Sequence, residues 1–250
     1  MFEPRIALAS LSGESDAAWA KAGSRWVGGA FLGGLALDEA TRNAAKRMVA
    51  ERDREEFLPP DPFDFMDAQL DALETTDLTP GFNVRSIDHE SLRRAAAICA
   101  ERDAFVEINA HCRQPEMTSL GAGQAMLTEP ERLEEQVATA AETGATVSVK
   151  VRAEIDGVDL PAVCERAEVA GADILHVDAM DSESEIAAID RHTDAFLIAN
   201  NEVRDEESVV EYLEYGADAV SVARASTNPA VLRRVNRAVL DWFGESSPEA

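Results

Sequence analysis

Residues 142–178, ETGATVSVKVRAEIDGVDLPAVCERAEVAGADILHVD, decide the fold. Gly144 stops one helix, and an apolar run follows at once over 146–151. A helical stretch occupies 160–170, Gly171 stops it, and a second apolar run fills 173–177. Short runs rich in Val and Ile, bounded by turn residues, read as buried strands. Glycine just past a helix end supplies the left-handed stop that lets the chain turn into the next strand. The same device returns as YGAD at 215–218.

Outward from this unit the alternation continues to both ends. The patterning predicts strands at 5–9, 26–31, 81–84, 104–108, 195–199 and 218–222, which makes eight in all. Helices are predicted at 15–22, 38–54, 63–73, 89–101, 130–143, 183–191, 206–215 and 229–243, besides the one at 160–170. Asp38 is placed to cap the second, and Pro130 and Pro229 suit first helical positions. Pro59, Pro60 and Pro62 break the chain between helices. The simplest closed solution is a (β/α)8 TIM barrel in a single domain over residues 1–244, followed by a short acidic tail at 245–250. An open doubly wound sheet is the alternative.

Composition narrows the function. Asp and Glu number 48 against 23 Lys and Arg, a formal net charge of −25. Lysine occurs only as Lys21, Lys46 and Lys150. An acidic, lysine-poor surface suits a salt-rich, halophilic cytoplasm in which self-repulsion is screened. It argues against tight nucleic-acid binding through a basic footprint. Cys99, Cys112 and Cys164 have no paired spacing, so neither a disulfide framework nor a zinc module is expected, and no metal. No apolar run reaches the ~18 residues of a membrane span, and the N-terminus lacks a signal-peptide pattern. A cytoplasmic protein is expected.

Chemistry in such barrels sits at the C-terminal ends of the strands. Those positions hold Ser10 and Ser12, Gly33 and Gly34, Asn83 and Arg85, then Asn109, His111 and Cys112. Lys150 and Arg152, His176 and Asp178, Asn200 and Asn201, and Arg224 and Ser226 complete the ring. Lys150 stands inside an apolar strand, where its charge needs an anionic ligand or a carboxylate such as Glu107 or Asp178. Cys112, between His111 and Arg113, reads as an electrostatically tuned thiol. Cys99 and Cys164 fall on outer helices as packing residues.

Six segments, in order, resemble the tRNA-dihydrouridine synthase family: ALASLSGESD, EINAHC, VSVKVR, His176, IANNEVRD and YGADAVSVARAS. The resemblance implies FMN across the barrel mouth. It places the backbone of Ser10, Leu11 and Ser12 and the side chains of Asn83, Asn109, Lys150 and His176 around the flavin. Asn200, Asn201, Ala223 and Arg224 fall at its phosphate. Cys112 matches the proton donor, while His111, Arg113 and Arg152 fall toward the substrate. NAD(P)H or another reductant and tRNA are the implied partners. Arg113 follows the cysteine where the family usually has proline, and Asn201 and Ala223 stand where it usually has glycine. No counterpart of the family's C-terminal helical tRNA-gripping domain is expected after the barrel. EINAHC is also similar to dihydroorotate-dehydrogenase-like flavoproteins, so a small pyrimidine-like substrate is a second expectation. A barrel that has lost flavin chemistry and serves as a binding protein is a third.

Overall fold

Eight parallel strands close on themselves in sequence order, β1 to β8, in a computed structural model that describes residues 1–52 and 54–244. They are β1 (Ile6–Leu8), β2 (Gly29–Ala36), β3 (Thr79–Arg85), β4 (Phe105–Asn109), β5 (Thr146–Arg152), β6 (Ile174–Asp178), β7 (Phe196–Asn200) and β8 (Ala219–Val222). Around them run α1 (Ala17–Gly23), α2 (Glu39–Arg52), α3 (Pro62–Asp71), α4 (His89–Glu101), α5 (Pro115–Thr118) and α6 (Ala125–Thr128). The ring is completed by α7 (Pro130–Ala141), α8 (Leu160–Val169), α9 (Glu185–Asp190), α10 (Glu206–Glu214) and α11 (Pro229–Phe243). The chain is a single (β/α)8 barrel, as the alternation predicts. The acidic tail at 245–250 lies outside the described residues.

Two local differences bear on the site. Gly33 and Gly34 do not end β2 but sit within it, at a register shift against β3 between Gly33 and Leu35. Gly33 holds φ +95°, and a Cβ there would lie 2.4 Å from the Asn83 carbonyl oxygen, so the bulge depends on glycine. The segment after β4 is not one loop. It contains α5 and α6, four residues each, too short to leave a periodic signal in the sequence.

Alternation along each strand sorts the barrel interior into layers. At the bottom, Ala7, Phe31, Phe105, Ile174, Ile198 and Ala219 form a buried apolar plug with Phe2 beneath it. Each large side chain sealed there contributes roughly 1.5–3 kcal/mol of burial. Two residues further along the strands the layer is polar, with Asn83, Glu107, Ser148, His176 and Ser221 fully buried. The uppermost layer carries Arg85, Asn109, Lys150, Arg152 and Asn200, also buried. A separate apolar shell, including Leu32, Val106, Val149, Val177 and Val220, packs the strands against the helices. Among the described residues, no helix is long and apolar enough to cross a membrane.

Candidate active site

Glu107 organises the middle layer. Its carboxylate accepts from Asn83 Nδ2 at 2.7 Å and Ser148 Oγ at 3.2 Å, and it meets His176 Nδ1 at 2.6 Å. Burial pushes this carboxyl up, but His176, Lys150 and Asn83 outweigh it and hold the group ionised. An ionised carboxylate only accepts, so His176 carries its proton on Nδ1. Its Nε2 then accepts from Ser221 Oγ at 2.7 Å, and Ser221 accepts in turn from Asn200 Nδ2 at 2.8 Å. Burial, and then Lys150, keep the His176 pKa below that of a free imidazole.

This network supports the mouth above it. Asn83 Oδ1 accepts from Asn109 Nδ2 at 2.8 Å. Asn109 Oδ1 in turn accepts the backbone N–H groups of His111 at 3.2 Å and Cys112 at 2.8 Å. The amide at the end of β4 thus fixes the loop that carries the thiol. Cys112 is partly buried and, like Ile87 and Leu120, packs against an apolar patch that includes Met48 and Met117. Its carbonyl receives Gln124 N–H at 2.9 Å. Gly123 makes that approach possible, because a Cβ there would stand 2.2 Å from the Cys112 oxygen.

Lys150 is the exception in this connected interior. It is buried, yet among the described residues its ammonium makes neither a hydrogen bond nor an ion pair within 4.0 Å. Burial lowers its pKa, and Glu107 and Asp178 only partly offset that. Asp178 is occupied by His111, whose Nε2 lies 2.5 Å from Oδ2. Both carboxylates that the sequence offers Lys150 are therefore taken by neighbours. Beside it, Arg152 reaches Gln124 Oε1 at 3.4 Å through Nη1 and leaves its buried Nε without a partner.

Among the described residues, the ends of β7 and β8, like that of β3, leave the next backbone N–H without a partner. After β1, β4, β5 and β6 the next residue donates its N–H to the adjacent strand: Ala9 to Val222, Ala110 to Lys150, Ala153 to Asp178, Ala179 to Asn200. Among the described residues, the N–H groups of Asn201 and Ala223 make no such bond, and that of Arg224 has no acceptor either. Arg224 is exposed and opens a 3-10 turn, Arg224–Thr227, ahead of α11. Asn201 holds φ +122°, a conformation suited to glycine. It is kept there by Nδ2 donating to Met180 O at 2.5 Å and by its own carbonyl accepting from Tyr212 Oη at 3.1 Å. Free donors at two adjacent strand ends suit a phosphate.

The remaining sequence-predicted residues divide. Ser10, Leu11 and Ser12 border the mouth on the loop after β1, held by the buried Ser15, whose Oγ donates to Leu11 O and accepts Leu11 N–H. Arg113 is exposed and makes no ion pair among the described residues. Cys99 and Cys164 are fully buried, and burial pushes the Cys99 thiol up to about 12. Ser148 and Ser221 escape a reading confined to strand ends, and Glu107 enters it only as a possible partner of Lys150, although their inward parity with Ala219, Lys150 and Asn109 marks them. Among the described residues, no group of three or more His, Cys, Asp or Glu is placed to hold a metal ion.

Known proteins place this barrel in a family. It is similar to 3-hexulose-6-phosphate synthase from Salmonella typhimurium, with a TM-score of 0.61 at 16% identity over 95% of this chain and 99% of that one. FabK from Thermotoga maritima gives 0.60 at 14% identity, over 90% of this chain and 60% of that one. At such identities the likeness is one of fold. An uncharacterized protein of Methanocaldococcus jannaschii is 28% identical over 233 residues, 89% of each chain. A sequence model described as Dihydrouridine synthase (Dus) matches residues 81–249, from within β3 through α11 and across every inward polar residue of β4 to β8. The chain belongs to the dihydrouridine synthase family.

Proposed function

We propose that the chain is an FMN-dependent oxidoreductase that reduces the 5,6-double bond of a uracil ring, in tRNA or in a small pyrimidine. The observation that carries this reading is Lys150, a buried lysine whose ammonium has no protein partner among the described residues, in a dihydrouridine synthase barrel. Leaving such a charge bare costs stability unless a ligand meets it. Bound FMN, reduced by NAD(P)H or another reductant, supplies hydride to one ring carbon.

The protein's own groups do the rest. Lys150 would meet the flavin beside Asn109, with Asn83 and His176 supporting both from the layer below. The backbone of Ser10, Leu11 and Ser12 borders the ring. The free N–H groups at Asn201, Ala223 and Arg224 receive the phosphate, next to Asn200. Cys112 Sγ gives its proton to the other ring carbon. Asn109 orients that thiol through its backbone N–H. His111, Arg113 and Arg152 lie toward the substrate.

A small substrate is the second reading, favoured by the net charge of −25, which repels a polyanion. Two measurements separate the readings. Protein prepared in high salt takes up FMN and shows a bound-flavin spectrum; a colourless protein that refuses added FMN sinks both. Loss of dihydrouridine from the tRNA of a deletion strain then selects RNA, and unchanged content selects the small pyrimidine.

A further inference from the structure

The acid excess does not cover the whole surface. The two longest runs without Asp or Glu are residues 17–37 and 219–240, in a chain with 48 such residues. The strands β2 and β8 account for part of each run; the rest is α1 with its turn to Gly28, the 3-10 turn and most of α11. Every other helix of six or more residues carries at least two acids, whereas α1 carries none and α11 only Asp241. Far apart in sequence, these elements are neighbours in the closed barrel. Trp19 Nε1 donates to Ser226 Oγ at 3.1 Å, Asn236 Nδ2 donates to the Trp26 carbonyl at 2.8 Å, and a Cβ on Gly23 would lie 3.5 Å from Leu232.

Together they present Lys21, Arg25, Arg224, Arg233, Arg234 and Arg237, all exposed. Among the described residues, none of the six forms an ion pair within 4.0 Å. Arg234 donates to the Arg204 carbonyl at 3.3 Å, which leaves its charge uncompensated. Arg102, by contrast, is neutralised by Asp67, Asp71 and Glu74, and Arg166 by Glu131 and Glu134. Six unpaired cations on one face are a footprint for a polyanion. The net charge of −25 does not erase it at contact range. The Debye length is about 10 Å at 0.1 M salt, and the 15 residues of α11 alone run about 22 Å. The face also leads to the site: Arg224 stands on the rim directly after β8, and α11 descends from there to Phe243, whose ring lies 4.6 Å from the Arg5 guanidinium ahead of β1.

We propose that the α1–α11 face docks an RNA phosphate backbone, with Arg233, Arg234 and Arg237 as its main contacts and Lys21 and Arg25 beside them. Five of the six cations are arginine, whose planar fork meets phosphate oxygens two at a time. The proposal deepens the uracil-reduction reading and rests on it for the fate of the docked nucleotide: the ring that reaches the mouth past Arg224 is carried in RNA.

Fluorescence anisotropy of a labelled, unmodified tRNA transcript, read from about 0.1 to 0.5 M KCl, tests the face without flavin or turnover. Wild-type affinity falls with salt at a log–log slope of about −4, as for six cations on a single strand. Arg233→Gln/Arg237→Gln weakens binding at least about tenfold at the lowest salt and flattens the slope by about one to two. Arg47→Gln/Arg191→Gln removes the same charge from exposed arginines on α2 and after α9, outside the face, and changes neither quantity. A wild-type protein that ignores the transcript, or two double variants that lose affinity equally, overturns the proposal. Displacement of the transcript by polyglutamate at equal charge also overturns it, and identifies an acidic protein as the partner. Flavin uptake is read separately on the same protein. Its failure sinks the redox reading and leaves the docking result standing, whereas an FMN-loaded protein that refuses RNA keeps the redox reading and overturns the docking face.

Discussion

The middle and upper layers of the barrel interior are both buried and both polar, yet they are finished differently. In the middle, every polar group of Asn83, Glu107 and His176 has a partner, and the chain of bonds runs from β3 to β8 without a gap. Among the described residues one layer higher, the Lys150 ammonium has no protein partner, Arg85 and Arg152 keep idle donors, and the N–H groups after β3, β7 and β8 go unpaired. A satisfied buried network rigidifies; an unsatisfied one carries a cost. The contrast teaches that the lower network is the support and the upper layer the binding surface, completed by what binds there.

Substitutions break this contrast in a graded way. Glu107→Ala removes the hub of the satisfied layer and strands His176 and Asn83, so denaturant unfolding should show a loss of about 3–5 kcal/mol. An unchanged midpoint would mean the middle layer is not the support. Lys150→Met does the reverse: stability rises by about 1 kcal/mol or more, because a bare buried charge is replaced by an apolar chain, while FMN affinity falls at least about tenfold. A destabilised Lys150→Met protein with normal flavin uptake would contradict the assignment of the upper layer.

Acid provides the smallest effect. His111 and His176 are both held below the usual histidine value of 6.5, chiefly by burial. As pH drops through 6.5 the unfolded chain takes up protons that the folded barrel refuses, so stability is lost with falling pH. Glu107 and Asp178, both held low, add to the loss only at still lower pH, as their folded pKa values are approached. The melting temperature should therefore fall between pH 7.5 and 5.5, and replacing His111 with Gln should flatten part of that slope. A melting temperature that rises with acid would reverse the sign.

Much of this was legible in the residues. The glycine stops at Gly144, Gly171 and Gly216 all hold positive φ before β5, β6 and β8, which is why the alternation could be read at all. Lys150 was visible as a lysine in an apolar strand, and its lack of a carboxylate partner sharpens that reading. Asn109 was expected at the flavin, yet both ends of its amide are engaged with Asn83 and the Cys112 loop, a role that only tertiary contacts reveal. Gly33 and Gly34 looked like a strand terminus because a bulge and a turn use the same residue. Glu56 left no trace, since it comes from an irregular segment and meets Arg85 only through the fold.

The most direct test is reoxidation of the reduced, FMN-loaded protein by a uridine-containing substrate, wild type against Cys112→Ala. The account predicts that the variant keeps its flavin spectrum and loses turnover by at least about a hundredfold. A Cys112→Ala protein that reoxidises at the wild-type rate would contradict it.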